Sequence, residues 1–162
     1  MRAWRISKRR YAQPPESAFN GEGSRRCGGR WSPPGLRVAY TSSSLALASL
    51  EYFVNLEPVD APADLVSVGV DFPRGFKVDR VMTASLPHNW RHTPAPIELR
   101  DIGANWLDSA SSLCLIVPSS VIPEEFNLLI NPAHPDFKHL RFFGPRRFAF
   151  DPRLGKRSLG SQ

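Results

Sequence analysis

The chain has 162 residues, enough for one domain with a real core, and its apolar (41%) and charged (22%) shares are those of an ordinary globular protein. A formal net charge of +6 favours anionic partners, and two cysteines far apart, outside any metal-ligand spacing, point to a reduced cytoplasmic protein and not to a disulfide framework. No apolar run approaches the roughly 18 residues of a membrane-spanning helix, and the basic N-terminus is not followed by the apolar segment of a signal peptide.

Sixteen prolines are scattered along the chain, roughly twice the usual frequency of around 5%, so short elements joined by fixed turns are expected. "AWRIS" (3–7) reads as a strand. Tyr11 to Gly29 is polar and turn-rich, a loop with some helix at most. "GGRWSPPG" (28–35) then places two glycines, Arg30, a tryptophan and two prolines ahead of "LRVAYT" (36–41), an alternating strand. Such a rigid loop can present Arg30 to an anion. "SSSLALASLEYFVNLE" (42–57) carries the best helical signal, capped by Ser42 or Ser43 and stopped by Pro58. Its apolar stripe is read as Ala46, Leu50, Phe53 and Val54, with Glu51 at the margin. There a carboxylate either looks into a cleft or reaches solvent, and periodicity leaves both open.

"LVSVGVDF" (65–72) reads as a strand by its alternation, followed by a proline-rich middle with one short helix near 97–109. "LCLIVP" (113–118) reads as a buried central strand that delivers Ser119 and Ser120 at its mouth. "NLLIN" (127–131), "LRFFG" (140–144) and "RRFAFD" (146–151) complete the strands, with Asn131 and His134 at a strand end between prolines. Polar groups held there suit a binding site and ordinary turn chemistry equally. The expected fold is a single compact α+β domain of short mixed strands and a few helices over 1–151, with a polar, frayed tail over 152–162.

Phosphate motifs do not fit. "GEGSRR" (21–26) has Arg26 where a dinucleotide fingerprint needs its third glycine, and no Walker pattern is present. His88 and His92 have zinc-helix spacing but lie between Pro87 and Pro94, so no metal is expected, and Cys27 reads as a small buried residue. The basic clusters Lys8-Arg9-Arg10, Arg25-Arg26, Arg146-Arg147 and Lys156-Arg157 read as solvated faces.

In this order the pieces "WRI" (4–6), "FNGEGSRRCGGRWSPPGLRVAYTS" (19–42), "LASLE" (47–51), "VPSS" (117–120) and "NPAHPDF" (131–137) resemble the RES domain, the toxin half of a bacterial toxin–antitoxin pair. The family's arginine, glutamate and serine fall on Arg30, Glu51 and Ser119, with Ser120 adjacent and Tyr40 as a fourth site position. The resemblance implies a fold similar to ADP-ribosyltransferases and consumption of NAD⁺ as substrate, without metal or other cofactor. It also implies an Xre-type helix-turn-helix antitoxin, which would carry the DNA binding. Arg30 would meet the pyrophosphate, Glu51 would stabilise an oxocarbenium-like state, and Tyr40, Ser119, Ser120 and Asn131 would line the substrate. Water, phosphate and a protein side chain all stand open as acceptors. The competing class is a non-catalytic basic module that binds nucleic acid, for which no RNP-type aromatics, helix-turn-helix or zinc finger appear.

Overall fold

The computed structural model describes residues 1–56 and 62–155. Its centre is a seven-stranded sheet: β1 (Arg2–Lys8), β2 (Ala39–Ser42), β3 (Leu65–Asp71), β4 (Val78–Arg80), β5 (Cys114–Pro118), β6 (Phe126–Ile130) and β7 (Arg141–Arg147), in the order β4-β5-β6-β2-β1-β3-β7. Every pairing is antiparallel except β4 with β5. Among the described residues three α-helices accompany it: α1 (Glu22–Cys27), α2 (Leu45–Phe53) and α3 (Ile97–Ser109).

The continuous apolar runs are explained by burial on both faces. Along β5 and β6, Cys114, Ile116, Leu128 and Ile130 join one core, while Leu115, Val117 and Leu129 join another. Successive side chains on a strand point to opposite faces, so both parities must be apolar here. The first core also takes Val66, Val68 and Val70 of β3 and Phe19. The second is closed by α3 through Leu99 and Trp106, together with Trp31 and Trp90 from loops. A third, smaller cluster places Ala48 of α2 against Ile6 of β1 and Leu65 of β3. Two helices therefore cover neighbouring parts of the sheet, and β2 and the start of β6 lie beside both.

Several expectations change. Ser44, not Ser42 or Ser43, caps α2, its Oγ accepting from the Leu47 amide at 3.0 Å. The expected stop at Pro58 lies outside the described residues, as does the tail beyond residue 155. The inward face of α2 is Leu47 and Ala48, whereas Ala46, Leu50 and Val54 are exposed. A helix whose apolar residues surround it on more than one side cannot be oriented by its stripe alone. "LRFFG" and "RRFAFD" are not two strands. β7 runs through Gly144-Pro145, because β3 supplies partners on both sides of an irregularity between Ser67 and Gly69. β4 was hidden in the proline-rich middle, and α3, at thirteen residues, is the longest helix described. Cys27 is exposed and Cys114 is the buried thiol.

Candidate active site

Glu51 projects from the inward half of α2. Its Oε1 accepts from Ser119 Oγ at 2.7 Å and from Asn127 Nδ2 at 2.6 Å. Each donor is itself fixed. Ser119, fully buried just beyond β5, accepts through Oγ from the amides of Val121 and Ile122 at 3.1 and 3.0 Å. Asn127 accepts through Oδ1 from Ser42 Oγ at 2.7 Å, across the register pair that joins β2 to β6. One carboxylate oxygen is thereby clamped by donors at the ends of two strands, one of them braced by a third. Glu51 Oε2 has no hydrogen-bond partner among the described residues.

Tyr40 stands two residues before Ser42 on the same face of β2. Its phenol oxygen accepts from the Trp31 amide at 3.1 Å and shares a hydrogen with Ser32 Oγ at 2.9 Å. Burial pushes the phenol pKa up, so the ring stays neutral. Gly29 makes this packing possible, because a Cβ there would lie 2.5 Å from the Tyr40 oxygen. On the β1 side the ladder with β2 is a single pair, Trp4 with Ser42. There the Arg5 side chain donates from Nη1 to the Tyr40 carbonyl at 2.8 Å. Arg5 Nε is buried without a partner among the described residues, and burial lowers the guanidinium pKa.

Arg30 closes the opposite wall. Its Nη1 donates to the carbonyls of Trp90 at 2.7 Å and His92 at 3.1 Å, and burial lowers its pKa. Arg30 enters no ion pair among the described residues. α3 supports this loop from behind: Gly103 packs so tightly on the Trp31 carbonyl that no Cβ fits, and Arg100 Nε donates to the Gly29 carbonyl at 3.3 Å.

These groups line one cleft of about 800 Å³, with Glu51 and Asn127 on one side and Arg30, Arg91 and Arg100 on the other. A smaller recess of about 400 Å³ shares Arg5, Tyr40, Glu51 and Asn127 with it and adds Trp4 and Tyr52. The structure thus brings together Arg30, Tyr40, Glu51, Ser119 and Ser120. Ser119 holds Glu51 while Ser120 lines the cleft. Asn131 lies at the other end of β6, buried, its Oδ1 capping the Ala133 amide at 2.9 Å. That is turn chemistry. The asparagine at the site is Asn127, at the near end of the same strand. Its register with Ser42 was the available signal. Arg5, Arg91 and Arg100 were also missed, since the sequence alone does not distinguish them from the other arginines of a basic chain. No cluster of three or more His, Cys, Asp or Glu suited to a metal occurs among the described residues.

One carboxylate, Glu22, gathers part of the basic charge. Arg25, Arg26 and Arg37 converge on Glu22, whose carboxyl they hold down to about 2, chiefly through the Arg25 and Arg26 hydrogen bonds. Among the described residues the arginines of the cleft have no such partner. No helix among the described residues is long and apolar enough to cross a membrane.

Comparison with known proteins identifies the family. The RES domain model matches residues 2–151. A "Toxin Res" of Yersinia enterocolitica is 39% identical over 155 residues, covering 95% of this chain and 99% of the relative. A "Prs ADP-ribosylating toxin" of Sphingobium sp. is 36% identical over 138 residues, covering 84% and 86%. Among solved structures, a chain of the M. tuberculosis MbcT–MbcA toxin–antitoxin complex superposes with a TM-score of 0.67, covering 96% of this chain and 86% of that one. Its 18% identity makes this a likeness of fold. With a family model spanning nearly the whole chain and relatives this similar over most of their length, the chain belongs to the RES domain toxin family.

Proposed function

We propose that this protein is the toxin of a toxin–antitoxin pair and that it cleaves the bond between nicotinamide and ribose in NAD⁺. The observation that supports this most is the Glu51 carboxylate, clamped through one oxygen and open through the other, facing an arginine-lined cleft. Departure of nicotinamide leaves positive charge on the ribose, as in glycoside cleavage, and a fixed carboxylate stabilises that charge without reorganising. The C–N bond pair leaves with the ring nitrogen, and the neutral nicotinamide needs no proton. Glu51 Oε2 accepts a ribose hydroxyl, and Ser119 and Asn127 keep the carboxylate aimed.

Tyr40 presents its ring, because its hydroxyl is already engaged by the Trp31 loop, and Ser120 offers a hydroxyl at the rim. NAD⁺ is a substrate here and the reaction asks for no metal. The "Prs ADP-ribosylating toxin" relative favours chemistry at this bond, and the MbcT–MbcA likeness favours an antitoxin partner, for which we propose an Xre-type helix-turn-helix protein acting in the cytoplasm. Incubation of purified protein with NAD⁺, following nicotinamide release with water alone, with phosphate and with candidate acceptor proteins, tests the reaction and assigns the acceptor. Release above the spontaneous rate is expected. No release under any of these conditions would overturn the proposal.

A further inference from the structure

The arginines of the cleft do not hold their charges alike. Arg30 commits Nη1 to two backbone carbonyls, Trp90 and His92, the residues on either side of Arg91. Arg91 and Arg100 are instead tethered through Nε, to the carbonyls of Ser120 at 3.2 Å and Gly29 at 3.3 Å. Both terminal nitrogens of each have no hydrogen-bond partner among the described residues. A guanidinium fixed by Nε presents its two Nη donors as a preset fork, the geometry that takes a phosphate in bidentate fashion.

We propose that Arg91 and Arg100 are the ligand's phosphate-binding residues and that Arg30, the obvious sequence candidate, is chiefly the positioning residue that orients Arg91. The three form a chain of supports. Arg100 holds the carbonyl preceding Arg30, Arg30 holds both carbonyls flanking Arg91, and Arg91 holds Ser120 at the end of β5. Two forks suit a ligand with two linked phosphates better than a mononucleotide. The assignment takes the NAD⁺ reading as its frame but makes a separate claim about which residues bind the anion.

The test uses the full chain and two readouts: the KM and kcat of nicotinamide release from NAD⁺, and calorimetric affinity for ADP, which carries two linked phosphates and no scissile bond. Arg91→Gln and Arg100→Gln should each weaken ADP affinity and raise KM roughly 10-fold or more, as expected for loss of a charge-assisted pair, with a normal thermal melt. Arg147→Gln, on β7 away from the cleft, should change neither. Arg30→Gln combined with Arg91→Gln should cost little more than Arg91→Gln alone, because the two act through one fork. Full additivity would make Arg30 an independent ligand and overturn its positioning role. Unchanged ADP affinity in Arg91→Gln and Arg100→Gln would overturn the phosphate assignment. If wild type releases no nicotinamide yet these variants lose ADP, the reaction fails while the phosphate assignment stands.

Discussion

On the Glu51 side of the cleft a carboxylate oxygen receives two side-chain donors mounted at the ends of β5 and β6, whereas on the opposite side each arginine reaches a backbone carbonyl of a loop or turn. The first arrangement borrows its precision from the sheet, where register leaves Asn127 and Ser42 no freedom. The second rests on irregular backbone, since the 28–35 loop and the 90–92 turn are seated by Trp31 and Trp90 and joined to each other by Arg30. Sites that act on a bond need the first kind of rigidity, and sites that hold a flexible diphosphate tolerate the second. Damage to the carboxylate side should therefore appear in kcat, and damage to the arginine side in KM.

The harshest way to break the arginine side is Gly103→Val. Any Cβ at 103 meets the Trp31 carbonyl, so α3 must move off the loop or the loop must yield. Overpacking against backbone should cost about 3 kcal/mol, a fall in Tm of roughly 10 °C by scanning calorimetry, with NAD⁺ affinity lost alongside. An unshifted melt would mean that α3 and the loop are not in contact. On the carboxylate side, Asn127→Leu keeps the volume but removes one donor to Glu51 and strands Ser42 Oγ. Nicotinamide-release kinetics should show kcat reduced about 10-fold or more with KM within about 3-fold, the size of a lost hydrogen bond to a charge. A rise in KM alone would erase the distinction between the two sides.

Arg30→Lys is milder. A lysine keeps the charge but replaces the planar guanidinium, whose Nη1 alone reaches both carbonyls, with a shorter tetrahedral ammonium, so NAD⁺ affinity by calorimetry should fall by about 10-fold, more than charge counting suggests. Unchanged affinity would mean one carbonyl contact suffices. The smallest effect is on the thiols. Cys27, exposed beside the arginine loop, should react with a thiol reagent in the native protein. Cys114, whose pKa burial pushes up to about 12, should react only after unfolding. Because the folded state keeps the Cys114 thiol protonated, stability should decline as pH rises above the ordinary thiol value of 9.0, where the unfolded chain ionises first. Two thiols reacting natively would contradict the packing of β5.

The fold was legible where two faces of a strand carried apolar residues, as in "LCLIVP", and where a helical stretch stood out from a proline-rich segment, as near 97–109. It was illegible where partners lie far away: β4 exists because β5 pairs with it, and the two halves of β7 join because β3 spans them. The site followed the same division. Arg30, Tyr40, Glu51 and Ser119 are carried by the motifs of the family resemblance; the first three line the cleft and Ser119 stands behind Glu51. Asn127 was passed over for Asn131 because both end the same short strand, and only the register of β2 against β6 says which end faces Glu51. Arg91 and Arg100 have no local signature at all. What singles them out is a carbonyl from another segment, which tethers Nε and leaves the fork free.

The central claim is that the Glu51 charge acts on the transition state. Glu51→Gln preserves shape and helix propensity while removing that charge. Its nicotinamide-release rate, measured beside a thermal melt and NAD⁺ affinity on the same sample, tests the claim most directly. The account predicts a normal melt, near-normal affinity and a rate lower by on the order of 10²-fold or more. A normal melt with a wild-type rate would contradict it.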